Sequence, residues 1–257
     1  MKKTLAAALA LGLMTGAAAA QDVVKVGIAA EPYPPFASQD ASGAWVGWEV
    51  EMIGAICTAA GLTCEVTPVA WDGIIPALTA GQIDAIMASM SITEERMQTI
   101  DFSDKYYNTP TVVVGAKGVE MDATPEGLAG KIIGVQVSTV HQAYAEKYFA
   151  GTAAEIKTYQ TQDEANQDLI AGRIDATQAD SIALDAFLAT AEGTACCEVK
   201  GAVADDPAIL GLGVGVGLRK GEEELKAAFN KGIAGVLADG TYDKVTAGYF
   251  ASSIYGN

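Results

Sequence analysis

Histidine and cysteine are the scarcest reactive residue types in this chain. Its 257 residues include one histidine, His141, and four cysteines. A Ser-His-Asp catalytic set cannot be built around a single histidine that lacks a nucleophile context. The cysteines have neither the CxxC spacing nor the histidine neighbours that are typical of a metal site. The sequence therefore predicts no catalytic triad, no metal and no cofactor.

Basic residues are also few. Lysine and arginine total 16 against 32 aspartates and glutamates, which gives a formal net charge of −16 at pH 7. An acidic chain of this kind is a poor candidate for binding nucleic acid or an anionic membrane surface. Two interpretations of the charge stay open: it draws in a cationic solute, or it only keeps an exported protein soluble.

Long apolar runs are confined to the N-terminus. Residues 1–20 combine Lys2 and Lys3 with an apolar Ala/Leu core and a small-residue end, which predicts a secretory signal peptide cut before Gln21. No later stretch reaches the roughly 20 apolar residues that a spanning helix requires. We expect a soluble, exported, periplasmic protein.

The cysteines of an exported protein suit disulfides. Cys57 and Cys64 lie on either side of a predicted helix end, and a bridge between them would join that helix to the next strand. Cys196 and Cys197 are adjacent, and two alternatives remain open for them: a bond to each other, or two buried thiols.

Hydrophobic periodicity predicts alternating strands and helices after the signal peptide. Strands are expected at residues 23–28, 43–46, 66–70, 84–87, 111–116, 131–137, 155–159, 172–177 and 214–218. Helices are expected at 49–60, 141–149, 163–171, 181–189, 222–237 and 242–249.

A repeated motif divides the chain into two similar units. Gly-Gln-Ile-Asp-Ala at 81–85 is echoed by Gly-Arg-Ile-Asp-Ala at 172–176, so we interpret the units as variants of one α/β design. The strand at 111–116 crosses between the units, and the strand at 214–218 returns. This predicts a first lobe of residues 21–108 and 211–257, a second lobe of 109–210, and a hinge near 108–112 and 204–214.

A set of polar residues follows the predicted strand at 84–87: Ser89, Ser91, Thr93 and Arg96. Ligands of open α/β sheets bind at the carboxyl ends of strands, and the guanidinium fork fits a carboxylate in a bidentate manner. Thr93 is a candidate N-cap for a helical turn that carries Arg96. The alternative is that Arg96 pairs on the surface with Glu94 or Asp101.

Several motifs, in order, resemble the periplasmic polar amino-acid binding proteins of ABC importers (solute-binding protein family 3), and within them the lysine/arginine/ornithine-binding branch. They are Trp-Asp-Gly-Ile-Ile-Pro-Ala-Leu at 71–78, Ile-Asp-Ala-Ile at 83–86, Ser-Ile-Thr-Glu-Glu-Arg at 91–96 and Ile-Asp-Phe-Ser-Asp-Lys-Tyr-Tyr at 100–107. The similarity runs from about residue 24 to residue 255.

The resemblance implies a type II, two-lobed α/β periplasmic binding protein fold. In that fold each lobe is a sheet flanked by helices, and two crossing strands form the hinge. It also implies a monomeric receptor without enzymatic activity, which captures an L-α-amino acid and delivers it to permease subunits at the inner membrane. The relatives share the spacing of Cys57 and Cys64, which supports a disulfide there.

The resemblance further implies roles for individual residues. The ligand carboxylate would be bound by Arg96, by the Ser91 amide and by amides near Thr139 and Val140. The ligand ammonium would be bound by Asp180, with the Ser89 carbonyl and the Ser91 hydroxyl. Tyr33 and Trp71 match aromatic positions that enclose the aliphatic part of the ligand. An alternative for Asp180 is that it caps the helix at 181–189.

Side-chain specificity is where this sequence departs from the relatives. The acid that receives the distal cation in that branch lies three residues before the tyrosine, and the residue there is Ala30. Glu31 is the nearest acid and can point inward or to solvent. Gln136 can hydrogen-bond an amide, ureido or guanidino group. His141 can line the pocket or be solvated.

We therefore expect a cationic or long polar amino acid as ligand. The alternative is an uncharged ligand such as glutamine, citrulline, an opine or an ectoine-like solute. Two other classes are less favoured. A cyclohexadienyl or arogenate dehydratase on this scaffold would need a proton donor, for which only Glu31 or His141 is spare. A detached sensor module would present its lobes to a partner receptor.

Overall fold

Two five-stranded sheets organise residues 23–256, the part of the chain that the computed structural model describes. The predicted signal peptide lies outside these residues. The strands are β1 (Val24–Ala29), β2 (Ser38–Gln39), β3 (Trp45–Val46), β4 (Cys64–Val69), β5 (Ala85–Ile86), β6 (Asp101–Tyr107), β7 (Thr111–Ala116), β8 (Ile132–Gln136), β9 (Glu155–Tyr159), β10 (Ala176–Asp180), β11 (Cys197–Ala202) and β12 (Val214–Leu218).

The helices connect and cover these strands. They are α1 (Trp48–Ala60), α2 (Ile74–Thr79), α3 (Glu94–Met97), α4 (Val140–Tyr148), α5 (Gln162–Ile170), α6 (Ser181–Leu188), α7 (Ala191–Cys196), α8 (Pro207–Leu210), α9 (Glu223–Ala238) and α10 (Thr241–Thr246). A 3₁₀ turn at Trp71–Gly73 precedes α2.

The first sheet has the order β4-β1-β5-β12-β6. Its first three strands are parallel, whereas β12 is antiparallel to both β5 and β6. The apolar faces of α1 and α9 pack on this sheet and on each other. Trp48, Met52 and Phe229 are fully buried there with Val26 and Ile28 of β1.

The second sheet has the order β11-β7-β10-β8-β9. Strand β8 is parallel to β9 and β10, and β7 is antiparallel to β10 and β11. Its core contains Val113, Ile133 and Val135 from the strands with Tyr144 and Phe149 at α4.

Two short connections join the sheets. Residues 108–110 lead from β6 to β7, and residues 211–213 lead from α8 back to β12. The lobe boundaries predicted after residues 108 and 210 fall in these connections, so the hinge remains a prediction with a definite location.

The repeated motif builds the same device in both sheets. The Asp84 carboxylate accepts the backbone N–H of Lys25 in β1 at 2.9 Å, and the Asp175 carboxylate accepts that of Ile132 in β8 at 2.8 Å. The isoleucine before each aspartate fills the space over a glycine: a Cβ on Gly27 or Gly134 would lie 2.4 or 2.5 Å from it. The motif therefore joins β1 to β5 in the first unit and β8 to β10 in the second.

Both cysteine pairs are bonded. Cys57 at the end of α1 is joined to Cys64 at the start of β4 with an S–S distance of 2.01 Å, as the resemblance implied. Cys196 and Cys197 are bonded to each other at the junction of α7 and β11, which decides between the two alternatives left open by the sequence.

Some elements differ from the sequence prediction. Strands β6 and β11 and helices α7 and α8 were not predicted, and the single strand expected at 43–46 is the two-residue strand β3, paired with β2. Strand β6 alternates poorly because its Asp and Lys residues interrupt the apolar positions, and it is fixed by pairing with β12 more than 100 residues later.

Within residues 23–256 no helix is long and apolar enough to cross a membrane.

Two helical glycines give a matched test of the α1–α9 packing. A Cβ on Gly232 in α9 would lie 2.4 Å from the Ile56 carbonyl oxygen of α1, whereas a Cβ on Gly54 in α1 would meet nothing within 4 Å. We expect Gly232→Ala to lower the free energy of unfolding by about 1–2 kcal/mol, because overpacking exceeds the gain in helix propensity. Gly54→Ala should raise it by about 0.5–1 kcal/mol.

Urea denaturation of the two variants and the parent protein measures both effects. Opposite shifts of the unfolding midpoint at unchanged slope are the expected result. Equal shifts of one sign would show that α9 does not approach α1 closely at Gly232.

Candidate functional site

One cleft between the two sheets contains every residue that the sequence predicted for ligand binding. Its walls include Glu31, Tyr33, Trp71, Ser89, Ser91 and Arg96 from the first unit and Gln136, Thr139, Val140 and Asp180 from the second. The carboxyl ends of β1, β5, β8 and β10 converge here, which is the usual ligand position in open α/β sheets. The binding roles of these residues remain predictions.

Arg96 lies in the short helix α3, and Thr93 caps this helix by accepting the Arg96 backbone N–H at 3.2 Å. The guanidinium donates to the Ser91 carbonyl at 3.0 Å and, across the cleft, to the Ser138 carbonyl at 3.4 Å. Its carbon lies 5.5 Å from the centroid of the Trp71 ring. Burial lowers the pKa of Arg96 to about 10, so the group stays charged at neutral pH.

None of the ion pairs within residues 23–256 includes Arg96. The alternative that Arg96 pairs on the surface with Glu94 or Asp101 is therefore wrong. The guanidinium faces carbonyl oxygens and an aromatic ring, which leaves its positive charge without a carboxylate partner.

Ser91 presents its backbone to the cleft. It is bridged to Val214 in an antiparallel pair, with the Ile92 N–H bonded to the Gly213 carbonyl and the Gly215 N–H to the Met90 carbonyl. In this pattern the N–H and C=O of Ser91 itself point away from β12. The carbonyl accepts Arg96, and the amide is therefore directed to the same side, where a ligand carboxylate can accept it.

Asp180 ends β10 and precedes α6, but its side chain makes no capping hydrogen bond. The alternative that it serves as the helix cap is therefore wrong. Its Oδ2 instead accepts the Tyr33 hydroxyl across the cleft at 2.7 Å and lies 3.5 Å from His141 Nε2. Burial, together with the Asp180 charge, raises the pKa of Tyr33, so this hydroxyl stays a donor at neutral pH.

Trp71 and Glu31 fix one another at the first-unit wall. The Glu31 carboxylate accepts the Trp71 backbone N–H at 3.0 Å, and the indole N–H donates to the Val137 carbonyl across the cleft at 3.1 Å. Glu31 is half-buried and lines the cleft. Of the two orientations left open by the sequence, the structure shows the inward one.

Two polar side chains of the second unit, those of Gln136 and Thr139, already form hydrogen bonds within the protein. The Gln136 amide donates to the Gln160 carbonyl at 3.0 Å. The Thr139 hydroxyl caps α4 by accepting the Gln142 N–H at 3.1 Å, and it donates to the Gln136 carbonyl. The first-turn amides of α4, near Thr139 and Val140, are therefore the groups left to bind an anion.

Glu49, for which no role was predicted, also lines the cleft. This residue in the first turn of α1 is 1% exposed, and its carboxylate accepts the Ser89 N–H at 2.9 Å, the Ser89 hydroxyl at 3.2 Å and the Tyr106 hydroxyl. Burial raises the pKa of Glu49. Ser89 has a φ of 54°, so Glu49 holds it in a left-handed conformation that non-glycine residues rarely adopt.

His141 was left open between a pocket-lining and a solvated position. It is buried, lines the cleft, and has its Nδ1 3.3 Å from the Thr111 hydroxyl. Gln162 is a further cleft residue that was not predicted, and its amide donates to Asn166 and Thr177. In the described part of the chain no group of three or more His, Cys, Asp or Glu residues is arranged to hold a metal ion.

Comparison with known proteins places the chain in a family. Residues 24–252 match the bacterial extracellular solute-binding proteins, family 3. The L-arginine-binding protein of Pseudomonas aeruginosa is 39% identical over 260 residues, with 100% of both chains covered. The lysine/arginine/ornithine-binding periplasmic protein of Escherichia coli is 38% identical over 262 residues, again with 100% of both covered.

A solved structure extends the similarity to three dimensions. The ancestral amino acid-binding protein that is a precursor of cyclohexadienyl dehydratase has a TM-score of 0.76 at 31% identity, over 89% of this chain and 95% of that chain. The two-lobed type II fold expected from the sequence is confirmed. The chain belongs to the bacterial extracellular solute-binding proteins, family 3.

Proposed function

We propose that this chain is the periplasmic receptor of an ABC importer and that it binds an L-α-amino acid in the cleft without catalysing a reaction. The observation that carries the proposal is the division of charge across the cleft. Arg96 on the first wall pairs with no carboxylate of the described residues, and Asp180 on the second wall lies at the end of its strand. A ligand with a carboxylate and an ammonium group on one carbon satisfies both.

The charge balance of the cleft favours a ligand with a cationic side chain. Three carboxyl groups line it, those of Glu31, Glu49 and Asp180, against the single guanidinium of Arg96. After a zwitterionic head group has paired with Arg96 and Asp180, Glu31 remains to receive a distal cation. The rings of Tyr33 and Trp71 offer flat apolar surfaces for the methylene stem between the two ends.

The contacts that cross the cleft support closure of the two lobes on the ligand. Tyr33 bonds to Asp180, Trp71 to the Val137 carbonyl and Arg96 to the Ser138 carbonyl. A ligand that binds Arg96 and Asp180 together interacts with the closed arrangement more than with an open one, which is the requirement for ligand-driven closure. The closed monomer would then be the form that the permease recognises.

The alternative functions would use the cleft differently. An uncharged ligand such as glutamine, citrulline, an opine or an ectoine-like solute would use Gln136 in place of Glu31. A dehydratase needs a free proton donor, whereas Glu31 is bonded to the Trp71 amide and His141 lies beside Asp180. A sensor module would bind the same ligand and differ only in its partner.

A thermal-shift screen of refolded mature protein tests the ligand class. A ligand that binds only the native state raises the unfolding midpoint by mass action. We expect arginine, lysine or ornithine to give the largest shift among amino acids, opines, polyamines and ectoine-like solutes. A largest shift with glutamine or citrulline would contradict the role of Glu31, and turnover of prephenate or arogenate would contradict a purely binding function.

Arg96→Ala tests the head-group site. Removing the guanidinium leaves the ligand carboxylate with amide donors only, so we expect the Kd for L-arginine to rise at least about 100-fold. Arg96→Lys keeps the charge but loses the bidentate geometry, so its Kd for L-arginine should lie between those of the parent protein and Arg96→Ala. Arg173→Ala, a change to an exposed arginine that pairs with Asp168, is the control and should leave the Kd unchanged. Undiminished binding by Arg96→Ala would remove the assignment.

Glu31→Gln separates side-chain recognition from folding. The amide oxygen can still accept the Trp71 N–H, so the loop is retained while the charge is lost. We expect the Kd for L-arginine to rise about 10- to 100-fold, and that for uncharged L-citrulline to change little. Isothermal titration calorimetry with both ligands measures this selectivity. Equal losses for the two ligands would show that Glu31 acts only through Trp71.

A further inference from the structure

His141 lies in a buried row of polar groups that ends at the ammonium site. Its Nδ1 is 3.3 Å from the Thr111 hydroxyl, and its Nε2 is 3.5 Å from Asp180 Oδ2, the oxygen that also accepts the Tyr33 hydroxyl. The side chains of His141 and Asp180 are 7% and 14% exposed. Backbone pairing fixes the geometry, because Thr111 of β7 and Asp180 of β10 are directly opposite each other.

We propose that His141 is a positioning residue for Asp180, and that its protonated form competes with the ligand's ammonium group for the Asp180 carboxylate. The proposal rests on the proposed function, since it concerns the same binding site. When the imidazole is neutral, the Nε2–H orients the carboxylate and leaves its charge for the ligand. When it is protonated, the imidazolium pairs with Asp180, and the ligand meets a neutralised acid.

The groups around the imidazole determine which charges affect this competition between the imidazolium and the ligand's ammonium group. The Asp180 carboxylate lies beside the ring, and His141 is the second residue of α4, at the positive end of the helix dipole. Two other charged or ionisable groups of the cleft, Arg96 and Glu49, interact electrostatically with Asp180.

Charged groups on the other elements packed against α4 have their own partners or face solvent. Asp206, which precedes α8, binds Lys147 and Tyr148 of α4 at its far end. On β9, Lys157 pairs with Asp168 and Glu155 is exposed. On β10, Gln178 donates to the His141 carbonyl and carries no charge. Among the described residues on these elements, Asp180 is therefore the acid that faces the imidazole directly.

Ligand and proton are then linked reciprocally. If protonation of His141 lowers the affinity for the ligand, binding of the ligand must lower the affinity of His141 for the proton by the same factor. Histidine is the side chain whose charge ordinarily changes between pH 5 and 8, whereas L-arginine keeps its ammonium and guanidinium charged across that range. The ligand therefore does not titrate, and any proton released on binding comes from the protein.

The single histidine makes the test direct. The Kd for L-arginine is measured by calorimetry at pH 7.5 and 5.5 for the parent protein, for His141→Gln, and for Lys147→Gln as a control on the same helix. We expect the Kd of the parent and of Lys147→Gln to rise about fivefold or more at the lower pH. In His141→Gln, which can still donate to Asp180 but cannot titrate, that rise should be lost or much reduced.

Nuclear magnetic resonance of the His141 ring protons supplies a second measurement. Saturating L-arginine should lower the midpoint of the imidazole titration, and Asp180→Asn should lower it without any ligand. A parallel pH dependence in the parent and His141→Gln, or a midpoint unmoved by Asp180→Asn, would overturn the proposal. If none of these proteins binds L-arginine at pH 7.5, the proposed ligand class is wrong. The ligand-free titration then still shows whether His141 is coupled to Asp180.

Discussion

A partly buried guanidinium that pairs with no carboxylate of residues 23–256 is the constraint on which the cleft depends. Arg96 is surrounded by the Ser91 and Ser138 carbonyls and the Trp71 ring, and its pKa stays high enough to keep it charged. An uncompensated buried charge is costly, so it persists only where the surrounding fold holds it or a ligand completes it. Asp180 supplies the opposite charge, but on the other wall. The two charges lie on opposite walls of the cleft, and in the proposed function a zwitterionic ligand pairs with both.

The two units present backbone groups to the cleft in the same way. Each has a serine with a left-handed backbone just after a central strand, Ser89 with φ 54° and Ser138 with φ 59°. In each case a side-chain oxygen from a helix holds the serine amide: Glu49 at 2.9 Å for Ser89, and Gln142 at 2.7 Å for Ser138. Strained conformations of this kind persist where the surroundings over-determine them, and they cluster at binding sites. The design shared by the two units therefore extends from the Ile-Asp motif to the cleft.

The sequence predicted the features that depend on local patterns, and it missed those that depend on contacts between residues far apart in the chain. Most strands, the Thr93 cap and the positions of Arg96 and Asp180 at element ends follow from periodicity and spacing. The inward orientation of Glu31 depends on the Trp71 amide forty residues later, and the burial of His141 depends on two strands that no local signal connects. Strand β6 escaped prediction because its partner β12 returns from the far end of the chain. A resemblance to relatives supplied the site roles that patterns alone left open.

If the cleft residues have the roles proposed for them, their distribution between the two walls implies an order of ligand recognition. Arg96, Ser91, Tyr33, Trp71 and Glu31 all belong to the first unit, so this wall alone can hold the carboxylate, the stem and the distal cation of a ligand. The second unit adds Asp180 and the amides at the start of α4. Under the proposed function, the ligand's side chain is therefore selected when it docks on the first wall, and its α-ammonium group is bound when the lobes close. A ligand with the right tail and no ammonium group would dock without stabilising the closed form, because it has nothing to offer Asp180.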